Sequence, residues 1–199
     1  MKLRLLAAVI GFAMATGAAH AQIGIYATPI VSRISNSTPD TSVFAFLGSG
    51  STSRIFEGFG IGVYDDFYHA PRFDAGVDIR GNIMRGAGAQ LNNFLIGGRV
   101  AFKPVSIPVK PYVQLSGGVG GSKAAHNPLY VSKAEYAVSA GADYPLSKYV
   151  DWRVLEVGYG SVQTISSGIE NGASGTLPPA SKLLNFSTGF VIRIPSKLN

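Results

Sequence analysis

The chain of 199 residues has no cysteine. That excludes a disulfide framework, thiol chemistry, cysteine-ligated metals and attachment as a lipoprotein. Charge is scarce as well: 14% of the residues are Asp, Glu, Lys or Arg, against about 25% in an ordinary globular chain. Beyond residue 21 no apolar run approaches the ~20 residues a membrane helix needs. If the chain enters a membrane, it must do so as strands. What it holds in quantity is glycine, 25 residues, together with a mean hydropathy of +0.22. High glycine with few charges suits strands that pack closely and face an apolar medium.

Residues 1–21 have the layout of a cleaved secretory signal. Lys2 and Arg4 precede the apolar run Leu5–Ala15, and Ala19-His20-Ala21 is a small-x-small site that places cleavage between Ala21 and Gln22. Residues 22–199 are then the mature chain, expected to form a single domain. Losing Lys2 and Arg4 lowers the formal charge from +6 to +4. That mild, scattered basicity gives no ground for nucleic-acid binding.

The mature chain reads as a succession of segments with period-2 alternation, which places successive side chains on opposite faces of a strand. The last is the clearest guide: Leu184, Phe186, Thr188, Phe190, Ile192 and Ile194 share one face, with Asn185, Ser187, Gly189, Val191 and Arg193 opposite. In a soluble sandwich the greasy face looks inward; in a membrane barrel it meets lipid, and the polar face lines the lumen. Phe73–Arg85 decides between them. Its polar face holds Asp74, Asp78, Arg80 and Asn82, and burying it in a dry core would strand two carboxylates and a guanidinium. Further segments are Phe56–Tyr68, Asn92–Lys103, Pro111–Gly121, Ala134–Tyr144 and Val150–Val162. The last of these loses its alternation at Val154–Leu155, where a β-bulge would return Arg153 and Glu156 to the lumen. The first strand is either Ile23–Ile34, which carries Pro29, or Ser42–Leu47.

Gaps of unequal length separate the segments. Residues 35–54, 86–90, 122–133 and 163–182 form a mostly long set; 69–72, 104–110 and 145–149 form a short one. An up-and-down barrel with short periplasmic turns and longer outer loops has that rhythm, so the expected fold is all-β, an eight-stranded antiparallel transmembrane barrel. A secreted β-sandwich or lipocalin-like binder is the alternative. PYVQLSGGVG, AGADYPLS, VDWRVLEVGYG and LLNFSTGFVIRIP, with the leader and the strand rhythm, give the mature chain a pattern that resembles the small OmpA/OmpX-like outer-membrane β-barrels. The resemblance implies a bacterial outer-membrane location and contact with outer-membrane lipids and the barrel-assembly machinery. It also implies a structural or surface-interaction role, with ligands met through outer loops 35–54, 122–133 and 163–182. Loops 35–54 and 163–182 are expected to lack packing and to be mobile.

The inward-facing charges are Asp74, Asp78, Arg80, Arg99, Asp143, Arg153, Glu156 and Arg193, with Lys103 beside them. They form either a salt-bridged plug, favoured by the narrowness of an eight-stranded barrel, or the lining of a selective pore. Catalysis is not expected. Some barrels of this kind modify lipid A with a Ser–His pair, but His69 falls in a short turn, and His126 has only Ser122 and Ser132 near it in sequence. No metal-ligand spacing appears, Gly117–Gly121 lacks the Lys-Ser/Thr of a phosphate loop, and no cofactor is expected. Phe67, Tyr68, Phe73, Phe102, Tyr112, Tyr144 and Trp152 stand near the short turns and are expected to form an interfacial girdle.

Overall fold

A computed structural model describes residues 22–41, 44–164 and 180–194. Eight strands form: β1 (Gln22–Ser35), β2 (Ser53–His69), β3 (Phe73–Gly86), β4 (Ala89–Phe102), β5 (Lys110–Lys123), β6 (Tyr130–Pro145), β7 (Val150–Val162) and β8 (Ser181–Ile194). Each pairs antiparallel with its neighbours in sequence, and β8 closes on β1 to complete the barrel. The leader, including Ala21, lies outside the described residues; Gln22 opens β1. Following the register once around from Tyr130 of β6 leads back to β6 at Ala140, a stagger of ten residues. Eight tilted strands enclose a space just wide enough for side chains to fill.

The alternation of the strands becomes an inverted molecule. Outside stand Phe59, Ile61, Ile83, Leu115, Phe186, Phe190 and Ile192, all exposed on the barrel wall. Inside stand Asp78, Arg80, Arg99, Gln114, Asp143 and Arg153, all buried. A soluble protein with this wall would leave most of its apolar surface in water. An apolar medium around the wall and polar groups paired within is the arrangement of a membrane barrel.

Two bulges interrupt the alternation. In β7 the register shifts between Arg153 and Glu156, so Val154 and Leu155 both face out while Arg153 and Glu156 both face in. This is the bulge expected from the broken alternation. In β2 a shift between Asp65 and Tyr68 follows the alternation that has already turned Asp66 inward with Gly60 and Tyr64, and it leaves Phe67 and Tyr68 both exposed. Ile23–Ile34 rather than Ser42–Leu47 belongs to the first strand. Its Pro29 faces the lipid side, in line with Thr188, where the β1–β8 pairing is interrupted for want of an N–H.

The connections correct part of the expected rhythm. The gap expected at 86–90 closes to Ala87-Gly88 alone, both with positive φ (45° and 81°), the signature of a tight hairpin turn. At the opposite end, residues 103–109 form a longer connection than 124–129. The rhythm therefore rests on the first and last loops. Residues 165–179 of the last lie outside the described residues.

Loop 36–52 contradicts the expectation that it lacks packing. Its Phe46 and Leu47 are buried in the mouth of the barrel among Ile34, Phe56, Met84, Leu91 and Leu183, and the Phe46 and Phe56 rings stack at 5.4 Å. Asp40 holds the turn, its Oδ2 accepting the Leu47 N–H at 2.9 Å. The apolar piece singled out as a candidate strand is instead a stopper, with Ser42 and Val43 outside the described residues.

Candidate functional site in the barrel lumen

The lumen has two layers. The one nearer the chain termini is ionic and built on three arginines. Arg80 donates from Nε to Asp78 (2.8 Å), from Nη1 to Glu156 (2.6 Å) and from Nη2 to Gln114 (2.6 Å). Arg99 bridges Asp66 (2.7 Å) and Asp143 (3.1 Å). Arg153 donates to Asp143 at 3.0 Å and lies 3.5 Å from Glu156. Every guanidinium thus meets two carboxylates, and the geometry pairs charges that would be prohibitive alone in so confined a space, although Arg99 Nε, Arg153 Nη1 and Asp66 Oδ1 make no hydrogen bond among the described residues.

Tyrosines separate these cations. Arg99 lies over the rings of Tyr64 (3.9 Å) and Tyr112 (4.6 Å), and Arg153 over Tyr26 (4.2 Å) and Tyr112 (4.8 Å), within cation–π range. Their hydroxyls add donors: Tyr26 to Asp78 at 2.7 Å and Tyr112 to Glu156 at 2.5 Å. Each ring needs a glycine on the next strand. Tyr64 is paired with Gly24, Tyr26 with Gly62 and Tyr112 with Gly141, and a Cβ on those glycines would come within 2.2, 2.3 and 2.5 Å of the respective tyrosine. Tyr112 is therefore a lumen residue, which corrects its assignment to the girdle. Phe67, Tyr68, Phe102, Tyr144 and Trp152 do stand on the outer wall.

Two satellite groups occupy the rim near the termini. Asp74 is bound by His69 Nδ1 and Lys103 Nζ, both at 2.5 Å, and Arg193 meets Asp151 at 2.9 Å. Of the eight charges singled out in the sequence, Asp78, Arg80, Arg99, Asp143, Arg153 and Glu156 come together in one network. Asp74 and Arg193 pair separately. Asp66 joins the network through Arg99, and Asp151 pairs with Arg193; neither is among the eight, although alternation points both inward, Asp66 in phase with Gly60 and Tyr64 and Asp151 in phase with Arg153.

Above the ionic layer a short polar chain runs from Asn82 to Asn93 (2.7 Å) and on to Glu135 Oε1 (2.8 Å). Beyond it lies the apolar layer capped by Phe46 and Leu47. The candidate catalytic pair does not assemble, because Ser122 is wholly buried while His126 is exposed in the loop after β5. Among the described residues no cluster of three or more His, Asp or Glu is placed to hold a metal ion.

A closed eight-stranded barrel with an apolar wall and a paired ionic interior defines the class: a small bacterial outer-membrane β-barrel. Its solved neighbours agree. Neisserial surface protein A superposes with a TM-score of 0.59 at 12% identity, over 86% of this chain and 97% of that one. Ail, the attachment invasion locus protein of Yersinia pestis, crystallised with the heparin analogue sucrose octasulfate, gives 0.53 at 13% identity, over 88% and 99%. At such identities the likeness is one of fold. No family model and no curated protein matches the sequence.

Proposed function

We propose that the protein is a non-conducting, non-enzymatic envelope barrel that acts through its outer surface and loops rather than through its lumen. The observation that carries this reading is that the lumen is filled twice over. The Arg80–Arg99–Arg153 network closes the half nearer the termini, and Phe46 and Leu47 stopper the other. By the general rule for such barrels, the end bearing 36–52 and 163–180 faces outward and the termini face the periplasm. Loops 36–52, 124–129 and 163–180 are then the contact surfaces for envelope or extracellular partners. A surface role fits the names of the two proteins that share the fold, a surface protein and an attachment protein.

Conductance tests it. The folded protein in a planar bilayer should show no steady current. A steady ion-selective current that changes when Arg80 or Asp143 is reversed in charge would make the lumen a narrow solute pore and overturn the reading.

A further inference from the structure

The outer wall of the barrel is not uniform. Across β6 and β7 it carries a groove of about 490 Å³ bounded by Leu115, Tyr136, Val138, Tyr159 and Lys182, with Gly160 beneath. The register explains it. Tyr136, Ser161 and Lys182 stand side by side on β6, β7 and β8, and the middle residue is small. Tyr159, two positions back along β7, shares their face and pairs with Val138. The small Ser161 thus leaves a trough between two tyrosines, each more than half exposed.

The end of this trough nearest the loops is cationic. Ser161 is one residue from the end of β7 and Lys182 one residue into β8. Lys182 makes no ion pair among the described residues. Arg33 of the adjoining β1 also faces outward, in register with Leu184; it bonds the Ser53 hydroxyl at 3.4 Å and has no carboxylate partner among the described residues either. The contrast with the lumen is sharp, since there Arg80, Arg99 and Arg153 are all committed to carboxylates. A cation left free at the loop end of an apolar trough is placed to meet an anion from outside the barrel.

We propose that this groove binds an anionic phospholipid of the surrounding leaflet, one whose phosphate is not neutralised by a cationic headgroup. Its phosphate meets Lys182 Nζ and Ser161 Oγ, and an acyl chain lies between Tyr136 and Tyr159 along Val138 and Leu115. Tyrosine rings favour the headgroup boundary, and the lysine stem can lie along apolar surface while its amine reaches the headgroup. Near a membrane surface each such cation favours anionic lipid. The source is a lipid rather than free phosphate, because the cation stands at the end of a trough continuous with the lipid-facing wall.

The test uses the full folded chain in detergent, with phosphatidylglycerol or phosphatidylcholine added and the bound lipid counted by native mass spectrometry. Phosphatidylglycerol should be retained roughly tenfold over phosphatidylcholine, the scale of one charge-assisted contact. Lys182→Gln should erase that preference, Ser161→Leu should lower retention of both lipids by filling the trough, and Lys148→Gln, at the far end of the barrel, should change nothing. The mobility of each variant in an unboiled gel confirms that it is folded. Equal retention of both lipids by the unaltered chain would overturn the proposal. So would a preference that survives Lys182→Gln, or full displacement of the lipid by inorganic phosphate, which would make this a plain anion site.

Discussion

Truncating Arg80 to Ala removes the most heavily used donor of the ionic layer. Three of its nitrogens engage Asp78, Glu156 and Gln114 at 2.6–2.8 Å. Breaking a buried pair by removing one partner costs about 3–5 kcal/mol, because the other charge is left uncompensated. Here the orphans keep part of their support: Asp78 still accepts from Tyr26 and Gln114, and Glu156 from Tyr112 with Arg153 at 3.5 Å. The expected loss is therefore at the lower end, about 3 kcal/mol. Most of it should be a charge effect, so adding Asp78→Asn and Glu156→Gln to Arg80→Ala should recover stability rather than lose more. Urea unfolding from lipid vesicles, followed through the single tryptophan, Trp152, measures both. Lys103→Ala, which removes a half-exposed cation at the rim and leaves Asp74 bound to His69, is the comparison and should lose less than about 1 kcal/mol. If Arg80→Ala unfolds within 1 kcal/mol of the unaltered protein, or if neutralising its partners deepens the loss, the lumen is not held by paired charge.

Other outcomes follow from the same geometry. Gly62→Ala would drive a Cβ into the Tyr26 ring and to 2.8 Å from the Ile79 carbonyl; overpacking of this kind costs about 1–3 kcal/mol, readable in the same urea titration. Deleting Asp40–Gly50 should lower the melting temperature by exposing the apolar layer, yet leave planar-bilayer current at zero because the ionic layer beneath stays closed; a steady current would show that loop 36–52 alone seals the barrel. The folded chain should migrate differently in gels before and after boiling, and a chain showing no such shift would argue against a membrane barrel. Protease added to intact cells should spare Phe46 and Leu47, which are buried, and should not reach 70–72; cleavage at 70–72 would invert the topology.

Period 2 made the architecture legible. Each strand carries its polar and apolar residues on opposite faces, and reading Phe73–Arg85 correctly requires only that Asp74, Asp78 and Arg80 not be buried unpaired. Even the bulge in β7 announces itself, since Val154 and Leu155 are adjacent apolar residues inside an alternating run. Hidden from the sequence were features that depend on three-dimensional neighbours. Alternation turns Asp66 inward with Gly60 and Tyr64, yet nothing local says that Arg99, 33 residues on, will meet it. The partners of each arginine come from strands far apart in sequence, as with Arg80 and Glu156. Tyr112 lies near a short turn like the girdle aromatics, but alternation puts it opposite Val113 and so inside. Face outweighs depth, because a ring turned inward cannot reach the interface however near the barrel's end it lies.

The apolar stopper left a signal of a different kind. Near the loop end of the barrel the alternation fades, because both faces become apolar: Ile30 and Val31 in β1, Leu183 and Leu184 in β8, with Ile34, Phe56, Met84, Leu91 and Val162 all turned inward. In a water-filled lumen such inward residues would be unfavourable, and in an empty one they would leave a void. Something apolar must fill the space. The first loop supplies it with Phe46 and Leu47, and the hydrogen bond from Leu47 to Asp40 fixes the turn that carries them. Loss of alternation at one end of several strands, together with an apolar pair inside an otherwise polar loop, is thus the sequence mark of a barrel closed by its own chain. The same logic explains why the ionic layer lies at the other end. There β2, β3, β4, β6 and β7 turn charged residues inward, and those charges neutralise one another without help from a loop.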